Sequence, residues 1–168
     1  RQPFADTSFL ESDAWRALRI MGEFIDGFDA LARLGPAVSI FGSARTRPGD
    51  PMYQHARDLA ARLSEQGFTV ITGGGPGIME AANRGASEVE GGRSVGLGIS
   101  LPFEQGVNAY VTPELAFEFH YFFTRKFSMA YHMQALVVAP GGFGTFDELF
   151  ELMTLKQTGK MQSGLPVV

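Results

Sequence analysis

The chain is predicted to fold as an α/β domain, a doubly wound parallel sheet with helices on both faces, plus an N-terminal helical extension. Short apolar runs alternate with amphipathic segments almost throughout from Ala37 onward, which is the signature of strand–helix–strand units. Glycine turns follow the runs ending at Phe41, Thr72 and Ala139, and in sheets of this type such turns open at the carboxyl ends of the strands, where ligands bind. With 168 residues and 45% hydrophobic content, the chain has enough apolar material for one domain with a full core.

The extension is residues 1–36. Within it Trp15, Leu18, Met21, Phe24 or Ile25, Phe28, Leu31 and Leu34 recur at three- and four-residue steps, which predicts a helix with Asp13 as N-cap and Gly35-Pro36 as its stop. Gly22 and Gly27 each weaken it by roughly 1 kcal/mol relative to alanine, so a break is expected near either. Residues 37–168 form the sheet domain. Ala37–Phe41 is the first strand, and Met52–Gln66 the next helix, with Ala56, Leu59, Ala60 and Leu63 on its inner face and Gly67 after it. Phe68–Thr72 is a second strand, feeding Gly73-Gly74-Gly75-Pro76-Gly77 and a helix that begins at Ile78. Ser94–Ile99 is a third strand, followed by an irregular stretch from Ser100 to Glu114 of the kind that closes over a substrate. An aromatic segment, Phe117 to Phe127, leads into a helix carrying Arg125 and Lys126. Ala135–Ala139, a helix after Thr145, and a last strand at Pro166–Val168 complete the order.

Composition narrows the function. A net charge of −4 and a pI near 5.4 argue against general affinity for a nucleic acid polymer. Zero cysteines rule out disulfides and thiolate metal sites, and no apolar run approaches the ~20 residues needed to span a bilayer. His55, His120 and His132 lack ligand-like spacing, so no metal is expected, and a cytoplasmic location is. The chain opens on Arg1 and stops within Leu165-Pro166-Val167-Val168, so it reads as a piece of a longer product.

Two common phosphate motifs fail. The only Gly-Lys pair, Gly159-Lys160, continues with Met161, which is not a P-loop. The dinucleotide fingerprint requires a third glycine where Glu80 and Asp147 stand. Ser43 follows a glycine at a strand end, but Phe41 stands where a nucleophile elbow needs its first glycine.

What remains is the junction Pro140-Gly141-Gly142-Phe143-Gly144-Thr145-Phe146-Asp147-Glu148, a strand running through a glycine turn into a helix. Unpaired N–H groups and the helix dipole converge there, so a phosphate can sit without any lysine, and Thr145 can add a hydroxyl. Glu148, one turn on, brings a carboxylate close to whatever the phosphate is attached to. Acids are favoured in such first turns by the dipole alone, which is the plain alternative for Glu148 and Glu151.

That junction, together with Gly73-Gly74-Gly75-Pro76-Gly77-Ile78-Met79-Glu80-Ala81 and the Arg125-Lys126 pair, resembles the "lonely guy" (LOG) family, formerly labelled possible lysine decarboxylases. The resemblance runs from about Val38 to Val168. It implies a Rossmann-like nucleotide-binding catalytic domain that hydrolyses the N-glycosidic bond of adenine- or cytokinin-type nucleoside 5'-monophosphates, without a cofactor. It further implies Arg125 and Glu148 as catalytic pair, with Gly141, Gly142, Gly144 and Thr145 holding the 5'-phosphate. Plant-type members usually carry Met-His before the Arg-Lys pair, where this chain has Phe122-Phe123-Thr124, and often glycine where Glu80 stands. The N-terminal helix and the Leu101–Gln105 loop point to a longer bacterial subgroup. The decarboxylase label has no counterpart in the residues, since Lys126, Lys156 and Lys160 lie in no pyridoxal-phosphate motif.

The chemistry is consistent on its own terms. Glycosidic cleavage passes through an oxocarbenium-like state that a carboxylate stabilises, and the same carboxylate can activate water. Arg125 would pair with the phosphate or orient that carboxylate in a fork that Lys126, a candidate supporting contact, does not copy. Gly74, Gly75 and Ser43 are further candidate contacts. Glu80 is read as a ribose or water contact or as a cap, and Met129 as base-pocket lining or core. Asn83 is a weak candidate. The aromatics suggest core or a homodimer contact with the site completed across that interface. The alternative to an enzyme is a non-catalytic nucleotide or molybdenum-cofactor carrier of similar fold.

Overall fold

A computed structural model describes residues 12–100, 106–161 and 164–168. The first helix, α1 (Asp13–Leu31), is followed by β1 (Ala37–Phe41), α2 (Pro51–Glu65), β2 (Thr69–Thr72), α3 (Ile78–Ser87), β3 (Ser94–Ile99), β4 (Ala116–Phe119), α4 (Phe122–His132), β5 (Ala135–Val138) and α5 (Phe143–Gln157). The sheet has order β4-β3-β2-β1-β5, and every pairing is parallel. The order reverses between β1 and β5. This is the doubly wound α/β arrangement expected.

Period-two alternation divides each strand between two cores. On one face Ala37 and Phe41 of β1, Ile71, Val95 and Leu136 pack with Leu31, Met129, Met133 and Leu152 from α1, α4 and α5. On the other, Val38, Ile40 and Val70 pack with Tyr53, Ala56 and Ala60 of α2 and with Ile78, Ala81 and Ala82 of α3.

Several expectations are corrected. The N-cap of α1 is Ser12, whose hydroxyl accepts from the Trp15 N–H, so Asp13 is the first helical residue. The helix ends at Leu31 and runs unbroken through Gly22 and Gly27. Leu59 does not face inward but is 37% exposed. The aromatic segment hides an edge strand, β4, which carries Phe117 and Phe119. The C-terminal run forms an isolated bridge, Val167 to Leu136, beside β5. Of the stretch expected to close over a substrate, Leu101–Gln105 lies outside the described residues. Its continuation is anchored to the glycine turn by Asn108, whose Nδ2 donates to the carbonyls of Gly74 and Gly75 at 3.0 Å.

Candidate active site

A cavity of about 650 Å³ opens at the carboxyl ends of β1 and β5, at the reversal of strand order, the position where such sheets bind ligands. The loops after the two strands are joined there by the Ser43 N–H, which donates to the Pro140 carbonyl at 3.1 Å.

The N-terminus of α5 forms one wall. Gly142 is its N-cap and no side chain caps it. The N–H groups of Thr145 and Phe146 turn back to the Gly142 carbonyl at 3.0 and 3.1 Å. Gly142, Phe143, Gly144 and Thr145 line the cavity, so the positive end of the helix dipole and the N–H groups of the first two helical residues face it. Gly141 contributes through what it lacks: a Cβ there would lie 2.1 Å from Thr145 Oγ1, and Thr145 could not fold back against the turn.

Arg125 of α4 meets Glu148, which lies further along α5. Nη2 of Arg125 donates to Oε1 of Glu148 at 2.7 Å, with side chains only 13% and 8% exposed. Both reach the cavity. Burial pushes the Glu148 carboxyl above the ordinary glutamate range, against the opposing pull of Arg125 and Lys126. The Nε–H of Arg125 is buried and finds no hydrogen-bond partner among the described residues, and the guanidinium lies over the Phe122 ring, 5.7 Å from its centre.

The other candidates separate. Ser43 lines the cavity, its hydroxyl accepting from the Arg45 N–H at 3.1 Å. Gly75 lines an adjoining hollow of about 300 Å³ that shares Gly73, Met79 and Arg125 with the main cavity. Gly74 lines neither; its N–H is bonded to Thr72 Oγ1 at 2.9 Å. Glu80 points away, accepting from the Tyr53 hydroxyl at 2.7 Å. Met129 is core, 1% exposed, and Asn83 is buried in a network with Thr72, Ser94 and Asn108. Lys126 sits outside the cavity, bonded to Asp147 at 2.6 Å and Glu151 at 2.8 Å. Burial alone would disfavour its charge, but these two carboxylates outweigh it and raise its pKa above the usual lysine value. Sequence reasoning missed Arg45, Phe41, Met79, Ile99 and Phe146 as site residues, and these also line the cavity. Arg45 was findable, since it lies in the short loop after β1, at the strand end where the ligand belongs.

Among the described residues no group of His, Asp and Glu could hold a metal ion, and no helix is long and apolar enough to cross a membrane.

The profile of the family described as "possible lysine decarboxylase" matches residues 79–168. A probable cytokinin riboside 5'-monophosphate phosphoribohydrolase of Oryza sativa subsp. japonica is 32% identical over 132 residues, which cover 74% of this chain and 55% of that protein. A cytokinin riboside 5'-monophosphate phosphoribohydrolase of Arabidopsis thaliana is 33% identical over 113 residues, covering 64% and 50%. The chain thus spans about half the length of the curated relatives it matches. Among solved structures, one from a structural genomics consortium is similar at TM-score 0.54 and 26% identity, covering 79% of this chain and 72% of that one. The molybdenum cofactor carrier protein of Chlamydomonas reinhardtii shares the fold at TM-score 0.59 and 22% identity, covering 79% and 89%.

Proposed function

The chain belongs to the possible lysine decarboxylase family, the LOG family, and from that premise we propose that it hydrolyses the N-glycosidic bond of a purine nucleoside 5'-monophosphate, of adenine or cytokinin type, to the free base and ribose 5-phosphate. One observation carries the reading: the uncapped N-terminus of α5 and the buried Arg125–Glu148 pair line the same cavity.

In this reading the 5'-phosphate docks on the first turn of α5, held by the N–H groups beside Gly142 and Gly144 and by the Thr145 hydroxyl, with Gly141 making room for that hydroxyl. Ribose C1' then lies toward Glu148. As the bond to the base nitrogen lengthens, its electron pair leaves with the base and positive charge grows on C1' and the ring oxygen. A carboxylate in a desolvated wall interacts far more strongly with that charge than one in water. Water adds to C1' as Glu148 takes its proton, and that proton passes from Glu148 to the departing base nitrogen, which returns the carboxylate. Arg125 fixes the orientation of Glu148 through the 2.7 Å bond. Ser43 and Arg45 serve the substrate from the loop after β1.

A decarboxylase would need a lysine that gives up its proton to form a Schiff base. Lys126 is held as ammonium by two carboxylates, and Lys156 donates to the Leu165 carbonyl at 2.7 Å. These surroundings favour the hydrolase.

A homodimer belongs to the same reading. Met21 and Ile25 of α1, Phe123 and Tyr131 of α4, and Phe150 of α5 are each at least half exposed, and Phe143 at the cavity lip is 96% exposed. Apolar surface of this extent suits a second copy. Light scattering that shows only monomer contradicts it.

The function is tested by chromatography of products from AMP, isopentenyladenosine monophosphate, GMP and CMP, each beside its nucleoside. Free base from AMP and isopentenyladenosine monophosphate alone is expected. Base released equally from nucleosides would remove the phosphate cradle from the reading.

A further inference from the structure

We infer that Glu23, on α1, is a positioning residue for Arg125. It caps α4 from another helix and thereby sets where the guanidinium meets Glu148. The catalytic consequence rests on the phosphoribohydrolase reading, whereas the positioning itself does not.

The N-cap of α4 is Tyr121, and no side chain of its own segment caps the helix. The function passes to α1. Oε1 of Glu23 accepts from the His120 N–H at 2.7 Å, and Oε2 accepts from the Tyr121 N–H at 3.3 Å. Oε2 also lies 2.5 Å from the hydroxyl of Thr124, a side chain with no exposed surface. One carboxylate thus gathers the two N–H groups at the entrance to the helix and the hydroxyl in its first turn. A negative charge at that end is also favoured by the helix dipole.

Arg125 is the next residue along, and its own N–H closes the first turn on the Tyr121 carbonyl at 3.3 Å. Any drift in this turn is therefore carried directly into the position of the guanidinium. Two contacts make α1 a firm base for the cap. Gly27 lies against α4 so closely that a Cβ would stand 2.8 Å from Ser128 Oγ. Phe24 meets Phe127 edge to face, with ring centres 5.3 Å apart. Glu23 lies upstream of residues 79–168, the part of the chain that the family profile matches. The N-terminal helix is thus part of the site's support.

The test compares the full chain with Glu23→Ala, Glu23→Gln and Thr124→Val. Three quantities are read: kcat and KM on AMP, the melting temperature, and the side-chain Nε–H resonance of Arg125, assigned by its loss in Arg125→Lys. For folded Glu23→Ala the expected result is a kcat lower by about tenfold, the rate equivalent of one lost helix cap, with KM changed much less. The Arg125 resonance should move or broaden. Glu23→Gln keeps carbonyl acceptance and should recover much of the rate. If Glu23→Ala does not fold, Glu23→Gln and Thr124→Val carry the comparison, with smaller shifts of the same sign. A melting temperature that falls while kcat and the Arg125 resonance stay at wild-type values overturns the inference. If the wild type releases no base yet the resonance moves in Glu23→Ala, the positioning stands and the phosphoribohydrolase reading fails.

Discussion

Arg125 and Glu148 meet at 2.7 Å between α4 and α5, both nearly buried, in the lining of a cavity that the N-terminus of α5 also lines. The same two helices are also tied next door by Lys126, which bonds Asp147 and Glu151 on the solvent side.

Removing Arg125 leaves the Glu148 carboxylate buried without its partner. Arg125→Ala is expected to lower kcat/KM by at least about 100-fold, the scale of losing one preorganised charged contact. Arg125→Lys should restore little, because a single ammonium does not replace the fork. Steady-state kinetics on AMP checks both.

The raised pKa of Glu148 gives activity and stability opposite pH dependences. On the proposed mechanism the ionised carboxylate is the active form, so kcat/KM should fall with acidification through a pKa above the ordinary glutamate range. Stability runs the other way. The folded state holds this proton more tightly than the unfolded chain, so the group's contribution is fully present below the unfolded value and is lost as pH rises through the folded one. Denaturation of wild type and Glu148→Gln at several pH values isolates that contribution, and the acid limb of the rate profile reports the same group.

Gly141→Ala places a Cβ 2.1 Å from Thr145 Oγ1 and 2.7 Å from its Cβ. The first turn of α5 must shift, at a cost of about 1–3 kcal/mol typical of overpacking. Ribose 5-phosphate affinity, measured by calorimetry, should drop about tenfold or more, as expected when cradle geometry is lost.

Asn83 is fully buried. Its amide nitrogen donates to Ser94 Oγ at 2.8 Å and the Val95 carbonyl at 3.2 Å, and its oxygen accepts from Thr72 at 2.7 Å and Asn108 at 2.9 Å. Asn83→Leu should cost about 1–3 kcal/mol for each of these partners left unsatisfied, read as a lower denaturant midpoint.

What the sequence revealed and what it hid follow from the range of the interactions. The strand boundaries of β1 and β3 and the glycine turns are local patterns, and the structure places them where periodicity and turn chemistry put them, whereas α5 begins at Phe143, ahead of the start expected after Thr145. The edge strand β4 was obscured because Phe117 and Phe119 merge into an aromatic run that continues into a helix. Met129 shares a helical face with Arg125, yet one turn carries it from the cavity wall into the core. Glu80 is fixed by Tyr53, 27 residues away, and Glu23 by partners about 100 residues away. Pairings at that distance leave no periodic trace in one chain. The exposed Arg45 carries no local signal beyond its place after β1.

The most direct test of the central claim compares wild type with Glu148→Gln for base release from AMP and for nucleotide binding. Glutamine keeps an oxygen to accept from Arg125 but not the charge. The expected result is adenine from the wild type, none detectable from the variant, and binding retained within a few-fold. A variant that still releases base at the wild-type rate, or a wild type that binds AMP and returns it intact, would contradict it, the second outcome indicating a carrier.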